Sequence, residues 1–159
     1  MSIYQFSATS LKKKVIDFKQ YKGKVLLIVN TATHCGYTKQ YNGIQTLYQT
    51  YQSKGLEVLD FPSHSFLQTP EDNQGIEAFC ERQFKTTFTT FEKIDVNGDK
   101  AHPLYIYLRK ENKDKVDTKI EWNFTKFLVN RKGQVVSRYN AKTTPEMLVA
   151  EIEKLLNDR

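Results

Sequence analysis

Two cysteines, one tryptophan and three histidines carry most of the chemistry available to this chain of 159 residues. Cys35 sits in Asn30-Thr31-Ala32-Thr33-His34-Cys35-Gly36-Tyr37-Thr38, directly after the apolar run Val25-Leu26-Leu27-Ile28-Val29. A lone cysteine is ordinarily a small buried hydrophobe. Where a strand ends and a helix begins, backbone N–H groups around Gly36 and Tyr37 favour a thiolate, the nucleophilic form of the side chain. The second thiol, Cys80, lies far along the chain. The pair makes neither a disulfide scaffold nor a Cys-x-x-Cys motif, and zinc-ligand spacing is lacking. His34 and His64 are candidates to approach Cys35. A His–Cys pair can activate a thiol or, with a third ligand, hold a metal. Ligands of such mixed type and spacing are a weak metal pattern, and neither a metal nor a cofactor is expected.

The elements that must position these groups follow from hydrophobic periodicity. Val15-Ile16-Asp17-Phe18 leads into Tyr21-Lys22-Gly23-Lys24, read as a hairpin turn into a core strand over residues 25–30. Ile44, Leu47, Tyr48 and Tyr51 share one helical face, which predicts a helix over 38–51. A second strand over 56–61 is stopped by Pro62. Residues 63–73 read as a loop. Asp72 or Asn73 caps a helix in which Ile76, Phe79 and Cys80 face the same way. A short strand is expected over 93–96 and a turn at Asn97-Gly98-Asp99. His102-Pro103 opens a helix through Leu104 and Leu108, and residues 109–119 read as an exposed charged connection. Residues 124–129 and 134–139 flank Asn130-Arg131-Lys132-Gly133 as a hairpin. A last helix starts at Thr144-Pro145-Glu146, with Leu148, Ile152 and Leu155 as its stripe. Strands alternating with helices imply an α/β domain with a parallel core pair, whose reactive groups gather at the carboxyl ends of the strands.

The bulk properties narrow the function classes. Hydrophobic residues make up 39% and charged residues 26% of the chain, and its length suits a single domain over residues 1–159. The net charge of +6 is spread over scattered lysines without aromatic interleaving. It reads as a solvated basic surface and not as a nucleic-acid site. No apolar run is long enough to span a bilayer, and Met1 to Ala8 carries no charged-then-apolar signal pattern. A cytoplasmic protein without stable membrane insertion is expected.

Four motifs together make a resemblance visible: "NTATHCGYT" at 30–38, "KIDVNG" at 93–98, "AHPLY" at 101–105 and "WNFTKFLV" at 122–129. From about Phe6 to Leu156 the chain resembles the glutathione peroxidase family, a branch of the thioredoxin-like fold with a central mixed β-sheet flanked by helices. The resemblance implies a thiol peroxidase acting on hydrogen peroxide and organic hydroperoxides. It makes Cys35 the peroxidatic residue, whose thiolate is oxidised to a sulfenic acid. It makes Trp122 and Asn123 the pair whose indole N–H and side-chain amide face the sulfur. The stretch Phe79-Cys80-Glu81-Arg82-Gln83-Phe84 resembles the site of the resolving cysteine in thioredoxin-dependent members. Cys80 would then form a disulfide with Cys35, for thioredoxin to reduce. Because a disulfide needs Cα atoms within about 7 Å, the helix over 75–83 must partly unwind, helped by Gly75. The short segment 102–122 lacks the insertion of tetrameric members, which implies a monomer with an open site.

One segment departs from the pattern. Where the family usually reads Phe-Pro-Cys-Asn-Gln-Phe, this chain has Phe61-Pro62-Ser63-His64-Ser65-Phe66, so Ser65 stands at the place of the catalytic glutamine. The next loop, Leu67-Gln68-Thr69-Pro70, is one residue shorter than the usual Gly-Gly-Gln-Glu-Pro. A water molecule can fill the gap at Ser65, Gln68 or His64 can substitute, or efficiency falls; the first two are favoured because Cys35, Cys80, Trp122 and Asn123 are all present. The alternatives to an enzyme are a peroxide-oxidised sensor that relays its disulfide to a partner, and a low-activity scaffold.

Overall fold

The two longest apolar runs form the centre of a five-stranded mixed sheet, and shorter elements wrap it on both faces. The computed structural model describes residues 2–158. It begins with a small antiparallel ladder of β1 (Ser7–Thr9) and β2 (Val15–Asp17). The hairpin expected from β2 into the core strand is not formed. Asp17 accepts the Lys19 N–H and caps a 3-10 turn over Phe18–Tyr21, which buries Phe18 and Tyr21 and separates β2 from the sheet.

The core strand β3 (Val25–Thr31) is buried along its whole length, as a strand covered on both faces must be. Helix α1 (Gln40–Tyr51) returns the chain, and Gly55 (φ +115°) turns it into β4 (Leu56–Pro62). β4 pairs with β3 in parallel, Val25 opposite Leu56 and Thr31 opposite Pro62. Helix α2 (Asn73–Phe79) is capped by Asp72, whose carboxylate accepts the Gly75 N–H at 2.8 Å. It continues as a π-helical turn over Cys80–Phe84.

The edge strand is β5 (Thr89–Thr90), parallel to β4, and not the predicted 93–96 segment, which makes only isolated bridges through Ile94 and Asp95. Helix α3 (Pro103–Arg109) starts where His102 Nδ1 accepts the Leu104 N–H, so His102 is a cap. Arg109 is not in an exposed connection: it is buried, with one guanidinium edge (Nε and Nη2) donating to both Asp117 carboxylate oxygens and Nη1 donating to the Val96 carbonyl. The hairpin of β6 (Lys126–Val129) and β7 (Val135–Tyr139) adds to the free side of β3 and carries a bulge at Leu128/Val129. A 3-10 turn over Pro145–Leu148 leads into α4 (Val149–Asn157).

Alternate residues of β3 and β4 feed two core layers. Val25, Leu27, Val29 and Val58 pack with α1, α2 and α4 on one face. Leu26, Ile28, Leu59 and Phe61 pack with α3 and the N-terminal segment on the other. One position breaks the pattern. Asp60, in the middle of β4, is fully buried among apolar residues. It accepts hydrogen bonds from the hydroxyls of Thr31, of Tyr41 (2.9 Å) and of Thr90 (2.9 Å). Burial pushes its carboxyl up to about 6, although the three hydroxyls pull the other way.

An aspartate ionises near pH 4 in an unfolded chain, so the folded protein holds this proton more tightly. The stability it contributes is full below about pH 4, declines as pH rises toward 6, and is lost above that. Asp60→Asn is therefore expected to raise the unfolding free energy at pH 8 by about 2–3 kcal/mol, with the gain fading at pH 4. Urea unfolding of both proteins at the two pH values measures it; equal midpoints at pH 8 would contradict it.

Candidate active site

Where β3 ends, its backbone turns through residues 32–39 and presents Cys35, partly exposed. Thr38 builds this turn: its hydroxyl accepts the Cys35 N–H at 3.0 Å and donates to the Ala32 carbonyl at 2.8 Å. Tight i→i−3 bonds follow, Thr38 N–H to the Cys35 carbonyl and Gln40 N–H to the Tyr37 carbonyl. For that reason α1 begins at Gln40 and not at Thr38. The Tyr37 N–H still donates to Cys35 Sγ at 3.4 Å, from a turn and not from a helix end.

A second segment is tied to the same strand end. Asn30 accepts the Phe124 N–H on its carbonyl at 2.6 Å, and its side-chain amide donates to the Trp122 carbonyl at 3.2 Å. Phe124 has φ +65°, a left-handed conformation uncommon for an aromatic residue. The Lys126 ammonium donates to the Phe124 carbonyl at 2.8 Å and holds that turn. Burial pushes Lys126 down to about 8, against a weak pull from Glu146. Asn123 is thereby fully buried, while Trp122 stays partly exposed with its ring against Phe66, centroids 5.2 Å apart. Trp122 and Tyr37 line the same surface depression of about 500 Å³.

The third segment is the loop after β4. Ser65 does not reach Asn123. Its hydroxyl bonds Ser63 at 2.9 Å and accepts the Val96 N–H at 3.1 Å, so it serves the loop. His64 is occupied too, its Nδ1 accepting the Thr69 N–H. Gln68 is the side chain that arrives: its Oε1 accepts from Asn123 Nδ2 at 2.9 Å, and its carbonyl accepts the His34 N–H at 3.0 Å. It bridges the Cys35 turn and the Trp122–Asn123 segment. Leu67, at φ +61°, is the residue that aims it. Glu71 adds a further link, bonded to the Thr33 hydroxyl and to His34 Nε2 at 2.8 Å. Burial raises the Glu71 carboxyl, but Thr33 and His34 outweigh it and hold it below the usual range.

Cys80 is elsewhere and in a different state. It is 4% exposed at the end of α2, and both cysteines are free thiols. Burial pushes the Cys80 thiol up to about 12, with the Asp60 charge adding to it; Tyr41 and Thr86 oppose the shift. Cys35 and Cys80 flank one core layer, the layer that holds Tyr41 and Phe124. Glu71, Asn30 and Lys126 were not anticipated. Their only sequence signals are polar residues at the end of an apolar run and inside a strand, and a carboxylate after a loop proline.

Residues 3–109 match the family model described as Glutathione peroxidase. A glutathione peroxidase from Lactococcus lactis subsp. cremoris is 48% identical over 157 residues, which is 98% of this chain and all of that protein. A hydroperoxy fatty acid reductase from Synechocystis sp. is 44% identical over 162 residues, covering 98% of this chain and 96% of the relative. A thioredoxin-family thiol:disulfide interchange protein from Chlorobium tepidum superposes with a TM-score of 0.73 over 96% of this chain and 93% of its own, at 16% identity. That last likeness is one of fold, and it makes the mixed sheet thioredoxin-like. By the family model and these relatives, this chain belongs to the glutathione peroxidase family.

Proposed function

We propose that the protein is a thiol peroxidase of one domain, acting as a cytoplasmic monomer and regenerated by thioredoxin. The observation that supports this reading is that Gln68, bonded to Asn123 and to the His34 N–H, ties the Trp122–Asn123 segment to the turn that carries Cys35. Cys35 thiolate attacks the terminal oxygen of a hydroperoxide. The S–O bond forms, the O–O bond breaks, and the departing alkoxide takes a proton to leave as an alcohol, or as water from hydrogen peroxide. The amide groups of Asn123 and Gln68 and the Trp122 indole supply donors for the charge that builds on oxygen and sulfur. Gln68 takes the place that the family gives to a glutamine earlier in the loop, and Ser65 keeps a structural task.

Cys80 then attacks the Cys35 sulfenic acid, water leaves, and the disulfide passes to thioredoxin by exchange. The resting geometry supports a required unwinding. Cys80 points into the core, and its segment is a short helix followed by a π-helical turn ending at Lys85 (φ +51°). π-Helical turns are rare and are found frequently at functional sites. The partly exposed ring of Trp122 and the open depression beside Tyr37 suit bulky organic hydroperoxides, in keeping with the fatty-acid hydroperoxide named for the Synechocystis relative. Among the described residues no helix is long and apolar enough to cross a membrane.

NADPH consumption with thioredoxin, thioredoxin reductase and cumene hydroperoxide is expected to be sustained, and much slower when glutathione is the reductant. Turnover with neither would leave a relay or an inactive scaffold. Gln68→Ala is expected to lower kcat/KM for peroxide on the order of a hundredfold, the scale of one lost preorganised donor. Ser65→Ala is expected to cost about 1 kcal/mol of stability and less than about threefold in rate; stopped-flow oxidation of both variants decides which residue serves the sulfur. In the reduced protein at pH 8, iodoacetamide is expected to modify Cys35 at least about a hundredfold faster than Cys80, whose thiol is buried and hard to ionise; equal rates would remove the need for unwinding.

A further inference from the structure

Among the described residues, the 93–98 motif bonds to none of Cys35, Gln68, Trp122 and Asn123, and it does not form the strand that its sequence predicts. It lies between the two segments that carry those groups and is bonded to both. At one end the Lys93 ammonium donates to the Thr69 carbonyl at 3.2 Å and to the Glu71 carbonyl at 2.7 Å. Thr69 is fully buried and Pro70 brings no N–H, so a donor from another segment satisfies these carbonyls. The Lys93 N–H donates in turn to Asn73 Oδ1 at 2.8 Å, at the start of α2. At the other end Asn97 holds both backbone groups of Ile120: its Nδ2 donates to the Ile120 carbonyl at 2.7 Å, and its Oδ1 accepts the Ile120 N–H at 2.9 Å. In between, the Ile94 N–H donates to the Pro62 carbonyl at 3.0 Å and the Val96 N–H to the Ser65 hydroxyl at 3.1 Å.

We propose that residues 93–97 are a brace that sets Gln68 against Asn123, with Lys93 and Asn97 as its positioning residues. The inference rests on the reading of Gln68 as the donor that replaces the family's glutamine. Gln68 directly precedes Thr69, whose carbonyl Lys93 holds. Asn123 lies three residues beyond Ile120, whose backbone Asn97 holds. The bond from Asn123 Nδ2 to Gln68 Oε1, 2.9 Å long, closes between these two anchored stretches. A hydrogen bond of this kind is good only over about 2.7–3.2 Å, so a shift of about 1 Å in either stretch parts the pair. The ammonium supplies charge-assisted bonds, stronger than neutral ones, and the paired bonds of Asn97 fix orientation as well as distance.

A brace differs from an ordinary structural contact in what its loss changes. Losing a structural contact lowers stability and leaves the peroxide step alone. Losing an anchor of Gln68 slows the peroxide step, and slows it no further once the Gln68 side chain is itself removed.

The test is a double-mutant cycle on the oxidation of Cys35. Wild type, Gln68→Ala, Lys93→Met, Asn97→Ala and the two double variants that combine Gln68→Ala with Lys93→Met or Asn97→Ala are reduced and mixed with excess hydrogen peroxide. Samples are quenched at intervals, and mass spectrometry counts the Cys35 thiol that remains. Lys93→Met and Asn97→Ala are each expected to slow oxidation about tenfold or more. Each double variant is expected to match Gln68→Ala within about twofold. Iodoacetamide, whose reaction needs the thiolate but no donor for a departing oxygen, is expected to modify Cys35 within about threefold of the wild-type rate in both single variants. Single variants that oxidise at the wild-type rate overturn the proposal. So do losses that multiply in the double variants, or alkylation that slows in step with oxidation, because those mark a disturbed fold. Should circular dichroism show that Lys93→Met does not fold, Asn97→Ala decides. A Gln68→Ala variant that keeps the wild-type rate is a different result: it removes the reading of Gln68, and the brace with it.

Discussion

The reactive end of this molecule depends on how β3 terminates. Its last residues are still fully buried, and one of them, Asn30, has to satisfy its polar groups without water. Its carbonyl and side-chain N–H do so by fastening the Trp122–Phe124 segment to the strand, while its side-chain oxygen has no partner among the described residues. With that segment fixed, Phe124 is held in its left-handed conformation by Lys126, and Asn123 is pinned inside the protein. The Cys35 turn leaves the same strand end, and Gln68 closes the gap between the two. Three segments distant in sequence thus meet because a buried polar strand end needs partners.

The two thiols illustrate how environment divides labour. Cys35 is partly exposed and its sulfur receives a backbone N–H. Cys80 is buried among Ile76, Phe88 and Tyr41, where ionisation is disfavoured and the thiol stays protonated until its surroundings change. A short α-helix held by one Asp72 cap and continued by a π-helical turn can open without disturbing the central strands.

Asp60 gives the same layer a polar centre. In a strand whose neighbours are apolar, a carboxylate bonded to Thr31, Tyr41 and Thr90 joins β3, α1 and β5 beneath the Cys35 turn. Its desolvation is a standing cost at neutral pH, and a buried acid kept at such a cost draws attention to the groups it touches.

The sequence by itself determined the α/β alternation, the two central strands, the peroxidatic candidate and its family, because apolar runs and short motifs are local properties of the chain. It also showed that Ser65 stands where a glutamine belongs, and it named Gln68 and His64 as possible substitutes. Which of them reaches Asn123 was decided only by tertiary structure. The answer hangs on the backbone at Leu67 and on Ser65 and His64 being bound by Val96, Ser63 and Thr69, all matters of long-range or loop geometry. The edge strand was misplaced for the same reason, since two residues paired to β4 carry no periodicity to detect. Pairings between distant segments, such as Asn30 with Trp122 or Glu71 with His34, leave no spacing signal in one chain. The first exists because the fold buries polar groups that must find each other; the second, at the surface, because the loop after β4 is bonded to the Cys35 turn.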